Sequence, residues 1–277
     1  MFIRKFNRLF TFGCSFTQYF WPLWPEILSY ELNVPLYNFG RCGAGNQYIF
    51  NMLMQADNVY KFNNDDLIIV SWTNVCREDR FKKHTWHTPG NIFSQSIYSK
   101  NFVEEWGDPI GYCLRDFATI KSTTSFLKNK QCQYSMLSMC NLLDIVDQWD
   151  TNKKFPDLID QISNLYYDTL SEINKSFYEI LWNNDLSVKY DLDSKIHRKF
   201  VDGHPLLIEC LKYLEIIYEY KFKADTIDRV NIIQKEFEQF IVNIYNNPNA
   251  NKVAHCRSKF IHHDFNKNGI IDNRIIL

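Results

Sequence analysis

Apolar positions along the chain fall into two kinds of pattern. The first is a short continuous run. Four stand out: Arg8-Leu9-Phe10-Thr11-Phe12, Leu36-Tyr37-Asn38-Phe39, Leu67-Ile68-Ile69-Val70-Ser71-Trp72 and Tyr134-Ser135-Met136-Leu137-Ser138-Met139. Apolar runs without alternation are what parallel strands covered on both faces require. The run at 67–72 is the clearest, because Asn63-Asn64-Asp65-Asp66 bounds it.

The second pattern steps by three or four and predicts helices. One covers 25 to 32, with Pro25 near its start, where a missing N–H costs nothing. Another opens at Gly43-Ala44-Gly45-Asn46 and runs to about Tyr60, and a third covers 114 to 128. From 157 to 181, Leu158, Ile162, Leu165, Thr169, Ile173, Phe177 and Ile180 keep the helical step and predict one long amphipathic helix. A helix with Leu207, Leu211, Leu214 and Tyr218 on one face follows Pro205. The last, about 226 to 245, carries Val230, Ile233, Phe237, Phe240 and Ile244, a stripe too short for a coiled coil. Residues 76 to 112 lack a clear period and read as an insertion near the functional face.

Strands alternating with helices predict an α/β domain, a central parallel sheet with helices on both sides, over residues 1–222. Residues 223–277 read as a helical C-terminal extension and tail. Its stripe suits packing on the domain, on a second copy of the chain in a homo-oligomer, or on a partner. Ligands of such sheets bind beyond the carboxyl ends of the strands. Three polar motifs fall there: Ser15 after the first strand, Gly43 after the second and Asn74 after the third.

Composition narrows the classes. The chain has 277 residues, 45% hydrophobic and 16% aromatic, which supplies a sizeable core. Net charge is −1 and basic residues interleave with acidic ones, so nothing argues for a nucleic-acid partner. No apolar run reaches the length of a membrane span. The N-terminus, Met-Phe-Ile-Arg-Lys-Phe-Asn-Arg, lacks the apolar core of a signal peptide, so cytoplasmic synthesis is expected. The eight cysteines show no CxxC pair and read as mostly reduced and buried.

A serine nucleophile needs a base, a group to orient that base, and donors for the oxyanion. Ser15 follows a strand and a glycine. His204 lies in Asp202-Gly203-His204-Pro205, near the end of the α/β part. Gly43 offers a backbone N–H with no side chain in the way, a role for which Gly45 competes. Asn74 offers amide protons, although Asn is also a favoured helix N-cap.

These segments resemble the conserved blocks of the SGNH (GDSL-like) hydrolases. Gly13-Cys14-Ser15-Phe16-Thr17 resembles the nucleophile block. Asn38-Phe39-Gly40-Arg41-Cys42-Gly43 is similar to the second block, whose last glycine lends an oxyanion-hole N–H. Ser71-Trp72-Thr73-Asn74 is similar to the third, whose Asn lends a side-chain donor. Asp202-Gly203-His204-Pro205 resembles the last, which carries acid and base. The blocks keep the family's order over residues 9 to about 218. The resemblance implies a three-layer α/β/α, flavodoxin-like fold and a serine esterase or deacylase that needs no cofactor.

Its catalytic residues would be Ser15, His204 and Asp202, and its oxyanion hole Ser15, Gly43 and Asn74. Cys14 replaces the usual Asp, Trp72 the usual Gly, and Asp202 stands two rather than three residues before His204. That last spacing occurs in divergent, often phage-encoded, members, and it leaves Asp191, Asp193 or a main-chain carbonyl as other orienters of His204. A catalytically inactive module of the same fold, docked through 223–277, is the alternative.

Three further features complete the expectations. Trp72 and Arg77 are weak candidates for substrate contact, and the aromatics of the insertion suit stacking on a carbohydrate ester, such as an O-acetylated sugar. His84 and His87 read as surface histidines rather than metal ligands. Asp264, Asn266, Asn268 and Asp272 match the early positions of a calcium loop, but Ile275 stands where a bidentate Glu is needed, so a polar turn is expected and no metal.

Overall fold

The computed structural model describes residues 5–93, 98–143, 156–182, 204–245 and 270–271. Four of the predicted strands are present: β1 (Arg8–Phe12), β2 (Leu36–Asn38), β3 (Asp66–Trp72) and, after a hairpin of β4 (Arg80–Lys82) and β5 (Thr85–His87), β6 (Gln133–Ser138). A two-residue strand, β7 (Ile270–Ile271), adds to one edge. The sheet order is β6-β3-β1-β2-β7, every pair parallel. Every residue of β3 is buried, as its unbroken apolar run requires.

Register is fixed by specific pairs. Phe10 lies opposite Tyr37 and the rings stack with centroids 4.6 Å apart, while Phe12 stacks on Phe39 at 5.1 Å. Such cross-strand aromatic pairs are the unit of sheet stabilisation. At the amino end, Arg8 lies opposite Asp66 and holds its buried carboxylate with two 2.7 Å bonds.

The helices between strands are α1 (Trp24–Leu32), α2 (Asn46–Tyr60), α3 (Lys100–Trp106) and α4 (Pro109–Asn129). Later ones are α5 (Pro156–Leu165), α6 (Tyr167–Leu170), α7 (Leu207–Tyr218) and α8 (Ala224–Tyr245). Helices α1, α7 and α8 pack together, and α2, α4 and α6 form a second group. From β1 the chain crosses one way to β2 and then back past β1 to β3. Right-handed crossovers in opposite directions put α1 and α2 on opposite faces. This is an α/β fold with helices flanking a parallel sheet. The order reverses at β1, so the crevice beyond the carboxyl ends of β1 and β3 is the switch point at which such folds bind ligands.

One expectation needs revision. The single helix over 157–181 is broken: α5 and α6 are followed by a loop and a π-helical turn, Tyr178–Trp182. The cause is pairing with the sheet. Ile173 bridges Met136, and Asn174 donates to Met136 O through both its backbone N–H (2.9 Å) and its side chain (2.8 Å). Helical periodicity persisted through a segment whose backbone had a better partner. For α8, the described part of the stripe packs on the domain, one of the alternatives its pattern left open. Val230, Ile233 and Phe237 are buried, Phe237 packs 5.1 Å from Trp21, and Thr226 donates to the buried Glu31 of α1. The described part of that face is covered by the domain itself.

None of the seven described cysteines is in a disulfide. No described helix is long and apolar enough to cross a membrane.

Candidate active site

Ser15 stands in a tight turn just beyond β1. The carbonyl of Cys14 accepts from Thr17 N–H (2.9 Å) and Gln18 N–H (3.2 Å), so residues 14 to 18 form one helical turn. Gly13 is required at its entry, since a Cβ there would come within 2.0 Å of Thr17 Oγ1. Two buried side chains hold the turn from outside. Trp24 Nε1 donates to Phe16 O at 2.8 Å, and Asn38 Nδ2 donates to Thr17 O at 3.0 Å. Ser15 is 7% exposed. Its N–H is one of the orphan donors that start any helical turn, and it has no acceptor among the described residues.

Gly43 follows β2 in a turn closed by Ala44 N–H to Arg41 O at 3.0 Å. Its φ of +75° suits the third position of a type II turn, where glycine is favoured. A Cβ at Gly43 would meet Thr88 O at 2.0 Å. The β4–β5 segment therefore sits directly over this turn, with Arg41 donating to Trp86 O (2.7 Å) and Thr88 to Cys42 O (3.0 Å). Gly43 N–H has no acceptor among the described residues. Gly45, the rival in sequence, is committed elsewhere: its N–H donates to Asp79 Oδ1 at 2.9 Å. Asp79 also takes Tyr48 N–H at 2.8 Å, which caps α2.

Asn74 follows β3. Its Oδ1 accepts Cys76 N–H at 2.8 Å, an Asx turn that fixes the amide plane. Its Nδ2 has no acceptor among the described residues. The residue before it is held from both sides by Asn46, at the start of α2: Thr73 N–H donates to Asn46 Oδ1 (2.9 Å), and Asn46 Nδ2 donates to Thr73 O (3.0 Å). Asn46 Nδ2 also donates to Asp116 Oδ2 at 2.8 Å. Burial pushes the Asp116 carboxyl up to about 6, while Arg115, 2.7 Å away, pulls the other way. The Gly43 turn and Asn74 are thus joined through one buried amide. Nothing in the sequence blocks marked Asn46 or Asp116; each reads there as an ordinary helical polar residue.

His204 comes from far along the chain yet lies against the Ser15 turn. Its ring is 5.3 Å from that of Phe16 and stacks on Tyr19 at 3.7 Å with 12° between planes. Ser15 Oγ itself makes no hydrogen bond among the described residues. Asp202, Asp191 and Asp193 lie outside the described residues, as do Asp264, Asn266, Asn268 and Asp272.

Of the weaker candidates, Trp72 is wholly buried, so its ring offers no face to a substrate. Its role is packing. Arg77 donates to Ala44 O at 2.8 Å and contacts Met139 Sδ at 3.6 Å, which ties the Asn74 loop to the Gly43 turn. Met139 also receives Cys14 Sγ at 3.9 Å and Thr73 Oγ1 at 3.7 Å. A thioether thus sits behind the Ser15 turn, against Cys14. His84 and His87 are exposed on the β4–β5 hairpin, and no cluster of three metal-ligating side chains occurs among the described residues.

Comparison with models of known protein families gives no match, and comparison with curated protein sequences gives none. Among solved structures the chain is similar to a protein described as lipolytic, of the G-D-S-L family, from Desulfitobacterium hafniense DCB-2. Identity is 13%, the TM-score is 0.41, and the match covers 81% of this chain and 99% of that one. It is also similar to a member of the lipolytic G-D-S-L family from Veillonella parvula DSM 2008, at 15% identity and a TM-score of 0.42, covering 77% of this chain and 100% of that one. The α/β architecture stands on the strand order above.

Proposed function

We propose that the protein is a serine esterase or deacylase working through an acyl-enzyme on Ser15. The observation that carries this reading is that His204, remote in sequence, packs against the turn that bears Ser15. Three donors without acceptors among the described residues, Ser15 N–H, Gly43 N–H and Asn74 Nδ2, come from the loops after β1, β2 and β3. The four sequence blocks agree with it.

In the proposed reaction His204 takes the Ser15 proton as Oγ attacks an ester or N-acyl carbonyl. The three donors hold the tetrahedral oxyanion. His204 returns the proton to the leaving group, and water, deprotonated by the same imidazole, releases the acid. Asp202 is the proposed orienter of His204, with Asp191, Asp193 and a main-chain carbonyl as alternatives. The chemistry needs no cofactor. The proposed substrate is a small-molecule or carbohydrate ester, an O-acetylated sugar first among them. Phe81 and Trp106 of the 76–112 region present exposed rings that suit a sugar face.

The test is turnover of p-nitrophenyl acetate and of acetylated oligosaccharides. Ser15→Ala should reduce both to background and abolish labelling by a fluorophosphonate. Equal turnover in wild type and Ser15→Ala contradicts the reading. Turnover at background in both would favour a non-catalytic binding module instead.

A further inference from the structure

The segment that carries Ser15 does not end at its turn. It runs on through Tyr19, Phe20 and Trp21 to α1, and it grips the segment of His204 at two points. The Tyr19 ring lies nearly parallel to the His204 imidazole, 3.7 Å away. Trp21, itself buried, donates from Nε1 to the carbonyl of Pro205 at 2.9 Å. Both clasping rings are in turn held: Trp21 meets Tyr19 edge-on at 4.6 Å and packs on Phe237 of α8 at 5.1 Å. Beyond Pro205, Leu206 N–H donates to Glu209 Oε2 at 2.7 Å, which anchors the start of α7.

We infer that Tyr19, supported by Trp21, is a positioning residue for His204, holding the imidazole plane fixed relative to Ser15. The inference rests on the esterase reading above. An imidazole at a loop end can swing about two side-chain torsions, and a base must meet its proton within hydrogen-bond reach. Parallel stacking removes rotation out of the plane. The bond to Pro205 O fixes the backbone next to the base. Because both contacts come from the nucleophile's own segment, nucleophile and base move as one body. Misplacement of about 1 Å costs on the order of a hundredfold in rate, so the clasp acts on kcat. It need not change the affinity for an ester.

The experiment compares wild type with Tyr19→Leu, Tyr19→Phe, Ser15→Ala and His204→Ala. It measures kcat and KM for p-nitrophenyl acetate, the rate of fluorophosphonate labelling, and the melting temperature. Tyr19→Leu should lower kcat and the labelling rate by about tenfold or more, with KM within about twofold. Tyr19→Phe, which keeps a ring face, should recover most of the loss. Wild-type kcat in Tyr19→Leu, with Ser15→Ala and His204→Ala inactive, overturns the clasp and leaves the esterase reading intact. Full turnover in Ser15→Ala overturns the esterase reading and the clasp's catalytic role together. Should Tyr19→Leu fail to fold, Trp21→Phe replaces it. It removes the N–H to Pro205 O, and a wild-type kcat there overturns the clasp.

Discussion

At the scale of single residues, the site is defined by which polar groups already have partners. Gly45 N–H is committed to Asp79, whereas Gly43 N–H is not. The sequence offered two glycines for one role, and only the folded backbone separates them. Asn74 uses its oxygen on Cys76, its Nδ2 has no acceptor among the described residues, and the proposed function makes that amide an oxyanion donor. Asn74→Ala should therefore lower kcat by about a hundred- to a thousandfold, the usual cost of one oxyanion donor. Steady-state kinetics with p-nitrophenyl acetate would show it, with KM little altered. Gly43→Ala should be worse, because the new Cβ meets Thr88 O and the positive φ disfavours any side chain. A lower melting temperature should accompany its loss of activity. Trp72 shows the limit of reading residues singly. An aromatic beside the Asn74 motif suggests stacking, but the unbroken apolar run of β3 already required its burial.

At the scale of elements, the four short runs were legible as strands, most plainly β3, because a strand buried at every position leaves no alternation to misread. The helix forecast over 157–181 failed for the converse reason. Its periodicity was real, yet Ile173 and Asn174 pair with Met136 at the sheet edge, a tertiary partner no local pattern encodes. Asn46 was equally illegible: a polar residue opening a helix gives no sign that it will clamp Thr73, just beyond the end of β3. That clamp makes a prediction. Asn46→Ala leaves Thr73 N–H and O and Asp116 without their buried partner, and each group so stranded costs roughly 1–3 kcal/mol. The variant should melt earlier and lose activity through displacement of Asn74. Asn46→Asp should be more damaging, since it sets a second carboxylate against Asp116. Combining it with Asp116→Asn should recover part of the stability, as a thermal melt of the four proteins would reveal.

At the scale of the whole molecule, order and parallel direction of the strands put three chemically suited loops at one edge, and α1, α7 and α8 bring His204 to it. Helix α1 carries a buried carboxyl that links this assembly to pH. Burial pushes Glu26 up to about 7 from an ordinary 4.5, against a 2.9 Å bond from Leu23 N–H that favours the charged form. The unfolded chain therefore ionises Glu26 first as pH rises. The stability linked to this group is fully present below about pH 4.5 and drains away up to about pH 7. At about 1.4 kcal/mol per unit the loss is on the order of 3 kcal/mol. Glu26→Gln, which keeps an acceptor for Leu23, should flatten that part of the stability profile in denaturant unfolding between pH 4.5 and 7. An unchanged slope would mean that Glu26 ionises normally.

The central claim joins all three scales: Ser15, activated by His204 and faced by donors from three strand ends, forms an acyl-enzyme. Mass spectrometry of the protein after reaction with a fluorophosphonate tests it most directly. The account predicts a single covalent adduct on the peptide containing Ser15, absent in Ser15→Ala and strongly slowed in His204→Ala. An adduct elsewhere, or equal labelling of wild type and Ser15→Ala, would contradict it.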